Sequence, residues 1–405
     1  MRPQHAELVD GAEQRRRLGI VSAMGVGQIL SWGCSYYLFA VLAEPIVADT
    51  GWTFSGVAAG LSLGLLVAAV ISRVVGRTID RVGGRTVLVA GAALLGLGLF
   101  VVAVSPSLPC FLAGWLFVGA GMGAGLYDAA FSTLGRLFGS AARNPITWLT
   151  LFGGFASTIC WPLSALLVAQ VGWRGTCLVY SAIELALVAP LYLVVLPADN
   201  HAAAGGAEKQ PTLAAPAVAP RLGLYVLLAT VIGLSSMLST IISAHLLTLL
   251  TASGLSMSAA VGVGVLIGPS QVFARTVEMV LARAFHPLWT LLVATALLAL
   301  GIAALWSGAV AAAAALVIYG CGLGLVSIAR GTVPLAIFGA NNYASLMGRL
   351  AMPSLVAQAC APWCGALLLA SGGPRVTLST LLVAAILSLG LTLTLVAAAR
   401  SAQVV

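Results

Sequence analysis

Residues 76–85 read Gly76-Arg77-Thr78-Ile79-Asp80-Arg81-Val82-Gly83-Gly84-Arg85, a charged knot between two long apolar runs. Only 7% of the chain is charged, so this clustering is unusual. A second copy follows downstream, where Arg275-Thr276-Val277-Glu278 repeats Arg77-Thr78-Ile79-Asp80. A glycine-rich charged link between apolar runs, present once in each half, implies a bundle of membrane helices built by duplication.

The rest of the composition agrees. The 405 residues are 60% hydrophobic, with a mean hydropathy of +1.08, whereas soluble domains carry about 25% charged residues. A bilayer crossing takes about 20 mostly apolar residues. Twelve such stretches are expected, near 18–42, 53–75, 86–105, 108–136, 145–170, 173–197, 222–250, 256–282, 288–306, 308–337, 345–370 and 376–399. Their length and lack of alternation favour helices over membrane strands. Arg15-Arg16-Arg17 before the first run resembles the charged start of a signal peptide, but the run is too long and no cleavage pattern follows it.

The net charge of +8 is not a nucleic-acid footprint, because its placement explains it. Alternate links collect arginines, among them Arg15, Arg73, Arg81, Arg136, Arg143 and Arg275, while the opposite links hold only Arg174 and Arg375. Basic links stay cytoplasmic, which puts both termini on that side. The expected organisation is a tail at 1–17, a six-helix bundle at 18–197, a Gly/Pro-rich cytoplasmic linker at 198–220, a second bundle at 221–399 and a tail at 400–405. The seven cysteines all fall in or beside apolar runs, so no disulfide framework is expected.

The halves align at an offset of about 200 residues. Gly119-Ala120-Gly121-Met122-Gly123 matches Gly320-Cys321-Gly322-Leu323-Gly324, Cys160 and Pro162 match Cys360 and Pro362, and Arg174 matches Arg375. Six spans per half make the repeats parallel, related by an axis along the membrane normal.

At this point the stretch 76–85 resembles the link between helices 2 and 3 of the major facilitator superfamily, with Gly76, Asp80, Arg81, Gly83 and Arg85 at matching positions. The segment after Trp32-Gly33, the GWR at 172–174 and the GPSQVFART at 268–276 resemble a bacterial branch near its monocarboxylate-type members. The resemblance implies an all-α membrane protein of twelve helices in two pseudo-symmetric six-helix bundles. It also implies secondary transport by alternating access, with helices 1, 4, 7 and 10 lining the path. The arginine-containing pattern of helix 4 found in many proton-driven members is missing, and Gly125-Leu126-Tyr127-Asp128 stands there.

An ionisable group inside a span is costly and by default suggests function. Asp128, Arg330 and Glu184 qualify. The repeat places Arg330 near the mate of Asp128, so the two charges are expected to face one cavity from opposite halves. Asp128 would then be a proton site and Arg330 an anchor for an anion. Structural ion pairing is the competing reading. Glu184 would pair across helices or carry a proton. Gln28, Trp32 and Tyr36 recur at spacings of four on one face of helix 1, a candidate substrate wall that Tyr127 extends. The resemblance further implies that Asp80 meets the start of helix 11 and Arg136. In that gate Gly76 and Gly83 permit tight turns, and Arg275 and Glu278 are the counterpart in the second half. Cys160, Cys360 and Cys364 form a possible soft-ion site.

No phosphate loop, catalytic triad or metal-ligand spacing stands out, so neither an enzyme nor a bound cofactor is expected. The expected partners are a small polar or anionic solute such as an organic anion, protons and the lipid bilayer, with no nucleic acid, for a monomer in a bacterial cytoplasmic membrane. The alternatives are efflux of a trivalent metalloid or drug-like compound, and a transporter-like sensor without translocation. Accessibility labelling is expected to find both termini on one face; opposite faces would remove the even number of crossings.

Overall fold

The structure, a computed structural model, describes residues 3–198, 222–281, 285–308 and 312–401, with side chains from residue 15 onward. Among these residues every regular element is a helix. They are α1 (Pro3–Gly33), α2 (Leu38–Thr50), α3 (Phe54–Val82), α4 (Gly84–Val104), α5 (Leu108–Gly125), α6 (Tyr127–Phe138), α7 (Arg143–Gly154), α8 (Ala156–Ile183) and α9 (Ala189–Val195) in the first half. The second half holds α10 (Leu222–Ala252), α11 (Met257–Gly264), α12 (Ile267–Leu281), α13 (Pro287–Trp306), α14 (Ala312–Phe338) and α15 (Tyr343–Ser401). Apart from residue 198, the expected linker lies outside the described residues.

Nine helical segments among the described residues are long and apolar enough to cross a bilayer. Two of them, Leu108–Val195 with 88 residues and Tyr343–Ser401 with 59, far exceed one crossing. Both are interrupted by glycines in the left-handed region, at Gly139 (φ 54°), Gly172 (φ 69°) and Gly373 (φ 67°). Divided there, the segments fit the expected run of twelve rods. This is an all-helical, multi-pass membrane protein.

Three expected boundaries change. Residues 3–17 continue α1 and are not a separate coil, and the first span breaks over residues 34–37 before resuming as α2. The stretch at 76–82 is not a loop, because α3 runs through it to Val82. Thr53 starts that helix by accepting from the Gly56 N–H (3.1 Å), and Gly83 ends it with φ 87°, a value that strains any side-chain-bearing residue. Likewise Arg275 and Glu278 lie inside α12.

Gly76 therefore makes no turn. Its missing side chain lets α3 meet the Ala344 carbonyl of α15. One helical turn away, Gly348 lies against the Ser72 backbone, and the Ser72 hydroxyl donates to the Gly348 carbonyl (2.8 Å). Ser72, Gly76 and Asp80 share one face of α3 by their spacing of four. They join the two halves on the side of the basic links. A hydrophobic cluster there mixes Ile79, Phe131 and Ile146 of the first half with Leu335, Tyr343 and Met347 of the second. Elsewhere Val70, Val74, Val194, Val280 and Val383 are exposed, as lipid acyl chains require.

Gly76→Val should force α3 off α15. Overpacking of this kind costs about 1–3 kcal/mol, read as a lower melting temperature of the purified protein, whereas Val70→Ala on the lipid-facing surface should leave it unchanged.

Candidate functional site

The site begins with a break. Leu126 takes an extended conformation between α5 and α6, which frees the Gly125 carbonyl. Hydrocarbon cannot satisfy that group. Gln28 does so, donating from Nε2 at 2.6 Å. The break also places Asp128 in the first turn of α6, where unpaired N–H groups favour a negative charge.

Arg330 approaches from α14, four residues before Pro334. Proline has no N–H, so the Arg330 carbonyl loses its usual helical donor. The two side chains form a bidentate pair, with Nε to Oδ1 at 2.9 Å and Nη2 to Oδ2 at 2.7 Å. They remain 17% and 18% exposed. The pair therefore bridges the halves and still touches open space. Trp32, Tyr36, Tyr127, Asp128, Arg330 and Gln358 contribute to a small cavity that is partly open to solvent. Its aromatic wall is continuous. Trp32 lies 5.6 Å from Tyr36 and 5.1 Å from Tyr127, and Tyr127 stacks on Phe131 at 5.0 Å.

One expected cavity residue, Gln28, lies elsewhere, and Glu184 makes contacts across helices, one of the two alternatives expected of it. Gln28 is fully buried and committed to the Gly125 carbonyl. Glu184 is also fully buried, inside the first bundle, and accepts from Ser31 and Cys34. A spacing of four put Gln28 on the Trp32 face, but the helix rotates it towards the break in the neighbouring span. The serines of α10 mostly serve helix contact, as Ser236 pairs with Ser354 of α15 at 2.7 Å. The soft-ion site is not formed. Cys160 is buried in α8 against Gly33, whereas Cys360 is exposed and Cys364 packs among residues of the second half. No group of three metal-ligating side chains converges among the described residues.

The junction beneath the cavity is built around Asp80. Its carboxylate accepts from the Ser345 N–H at 2.7 Å and from the Ser345 hydroxyl. Ser345 lies in the first turn of α15, whose N–H groups have no intrahelical partner. A carboxylate there is worth up to about 2 kcal/mol when partly buried. Arg136 donates to the Asp80 carbonyl, while Arg81 is exposed and Arg85 half-buried at the start of α4.

The second half repeats the device with different chemistry. Glu278 of α12 pairs with Arg143 at the start of α7 (3.4 Å) and accepts from Thr290 (2.7 Å). Arg143 also donates to the Phe285 carbonyl at 2.7 Å. Partial burial and the Arg143 guanidinium hold His286 below the usual histidine range, so it is neutral at pH 7.

One important residue escaped the sequence reading, and another was assigned to the wrong surroundings. Tyr343 is buried between the halves, its ring against Gly135 and its hydroxyl donating to the Gly331 carbonyl at 2.6 Å. It closes the floor beside Arg330. Arg275, expected in a link, is only 5% exposed. It donates to the Thr150 carbonyl at 2.7 Å and to Gln271 at 3.1 Å, all neutral acceptors, and Tyr127 reaches the same Thr150 carbonyl at 3.4 Å. Only its inward rotation distinguishes it from a surface arginine, and composition carries no trace of that.

Residues 24–327 match the family described as Major Facilitator Superfamily. The chain is 31% identical over 187 residues to human monocarboxylate transporter 11, covering 45% of this chain and 38% of that protein. It is 30% identical over 150 residues to the 3-(3-hydroxy-phenyl)propionate transporter of Escherichia coli strain K12, covering 36% of this chain and 33% of that one. The alignments thus span well under half of these relatives. Among solved structures, the human organic anion transporter MFSD10 (TETRAN) superposes with a TM-score of 0.71 at 17% identity, over 93% of this chain and 99% of that one.

Asp80→Asn should loosen the junction. Losing a hydrogen bond to a charged group costs about 1.5–3 kcal/mol, or roughly a 10- to 100-fold shift towards the parted state. Faster thiol labelling of a cysteine placed at Ser132, from the basic side, would report it; an unchanged labelling rate would remove Asp80 from the gate.

Proposed function

The chain belongs to the major facilitator superfamily, and from that premise we propose that it is a non-enzymatic secondary transporter that carries a small organic monoanion together with a proton. The observation that carries this reading is the bidentate Asp128–Arg330 pair at the cavity wall. An unpaired arginine in that position would bind any anion and hold it. Paired with Asp128, it is available only when the carboxylate is neutralised.

The steps follow from that competition. A proton joins Asp128 and cancels its hold on Arg330. The planar guanidinium then receives the carboxylate of the solute through the same two donors. After the halves rock to the other side, loss of the proton restores the Asp128 charge, which displaces the solute. Proton and monoanion travel together, so no net charge crosses the hydrocarbon, where charge is costly. Arg275 supports an anionic cargo as a second buried cation next to Tyr127, with no acidic partner among the described residues. The apolar and aromatic wall suits the rest of an organic acid. The names of the curated relatives point to carboxylates as well.

The gating role of Gly76, Asp80, Arg81, Gly83, Arg85 and Arg136, with Arg275 and Glu278 opposite, belongs to the same proposal. So does a bacterial cytoplasmic membrane with both termini on the cytoplasmic side, which the placement of the basic links favours.

Proteoliposomes loaded at alkaline pH and placed in acid medium should accumulate labelled short-chain or aromatic monocarboxylates. Arg330→Lys loses the planar fork and should lower uptake roughly 10- to 100-fold. Asp128→Asn should keep solute-for-solute exchange but lose accumulation driven by the pH gradient. Gradient-driven accumulation surviving in Asp128→Asn would end the proton role, and uptake confined to neutral solutes would end the anion reading.

A further inference from the structure

Glu184 does not touch the cavity described above. It begins a π-helical turn, Glu184–Val188, and its side chain is 0% exposed. Such turns inside helices are frequent at functional positions. Its Oε1 accepts from the Ser31 hydroxyl at 3.0 Å and the Cys34 thiol at 3.1 Å. Its Oε2 has no partner, and neither has Gln28 Oε1 or the Tyr192 hydroxyl. Tyr192 lies near both Gln28 and Glu184.

The hydrogen inventory of these three atoms is informative. Gln28 Oε1 only accepts, and an ionised Glu184 Oε2 only accepts. The single proton among them is that of the Tyr192 hydroxyl. The second Nε2 hydrogen of Gln28 is the other donor at hand, yet neither it nor Tyr192 hydrogen-bonds Oε2, so an ionised Oε2 would be an unsatisfied buried charge, which a proton removes. The surroundings agree. From α1, Glu184 meets Ser31 and Cys34; the titratable groups on α8 and α9 are Cys160, Arg174, Cys177, Tyr180 and Tyr192, and Arg174 is engaged by Asp49 and Trp173. No arginine or histidine pairs with it among the described residues, and the only charged side chain of α4 is Arg85, in its first turn. A buried carboxylate without a counter-ion is far costlier than the neutral acid.

We propose that Glu184, with Gln28, Ser31, Cys34 and Tyr192, is a second proton-binding site, enclosed in the first bundle and apart from the solute path. The site communicates with the cavity through the break in the first span. Trp32 faces the cavity, while Ser31 and Cys34, on either side of it in sequence, hold Glu184. A solute that moves Trp32 also moves the donors of the carboxyl. Displacing those donors changes the hydrogen bonding at Oε1 and with it the environment of the proton on Oε2.

Infrared spectroscopy of full-length protein with ¹³C-labelled glutamate, in lipid vesicles without solute, tests this independently of the carboxylate reading. Exposed glutamates ionise near pH 4.3. A labelled protonated-carboxyl band should therefore persist at neutral pH, shift in D₂O after slow exchange, and vanish in Glu184→Gln. If all labelled signal at neutral pH is carboxylate, the site is ionised and the proposal fails, a result the wild-type protein delivers even if the variant does not fold. Trp32→Ala should displace the band. A band that stays at its wild-type position would overturn the link to the cavity.

Discussion

Hydrocarbon offers no hydrogen bonds, so every backbone group freed inside it must be satisfied by another part of the protein. That constraint explains why departures from regular helix and functional side chains coincide here. The break at Leu126 frees the Gly125 carbonyl and requires Gln28. The same break starts a new helix whose first turn holds Asp128. Pro334 removes the helical donor of the Arg330 carbonyl, beside the guanidinium that pairs with Asp128. The Leu126 break and the Asp128–Arg330 pair each draw a partner from a different span, which ties those spans together.

The same economy governs the junction between halves. A helix start presents unsatisfied N–H groups, and α15 begins against α3 because Asp80 accepts from one of them. Gly76 and Gly348 bring the backbones close enough for that contact. The second half uses an ion pair, Glu278 with Arg143, where the first uses a helix terminus. One terminus is satisfied by a carboxylate directly. The other begins with a cation whose favourable partner is the carboxylate opposite. Two chemically different contacts at related places allow the sides of the junction to differ in strength.

The charged pair and the buried carboxyl divide the polar chemistry of the first bundle between two faces of one span. Trp32 belongs to the cavity wall, and the residues that flank it reach Glu184. A break at residues 34–37 lets those faces move together. Asp128 has a cation beside it and open space in front of it; Glu184 has neither.

Much of this was legible before any coordinates. Apolar run length determined the crossings, because bilayer thickness leaves little choice. The repeat at 77–80 and 275–278 revealed the duplication, and one offset paired Asp128 with Arg330, since a parallel repeat carries residues at equal depth into facing positions. What remained hidden depended on rotation about helix axes. A period of four put Gln28 on the cavity face, and a basic residue near a span end made Arg275 look like part of a link. Three thiols at repeat-related positions suggested a common site, yet pseudo-symmetry sends Cys160 and Cys360 into different bundles. Sequence alone determined that the chain must lie in lipid and where its charges fall along the membrane depth, because both follow from apolar length and position. Only the tertiary structure decided that Asp128 and Arg330 close a bidentate pair and that Gln28, Glu184 and Arg275 turn away into the bundles, because that depends on how far each helix turns and on which neighbour satisfies its freed backbone.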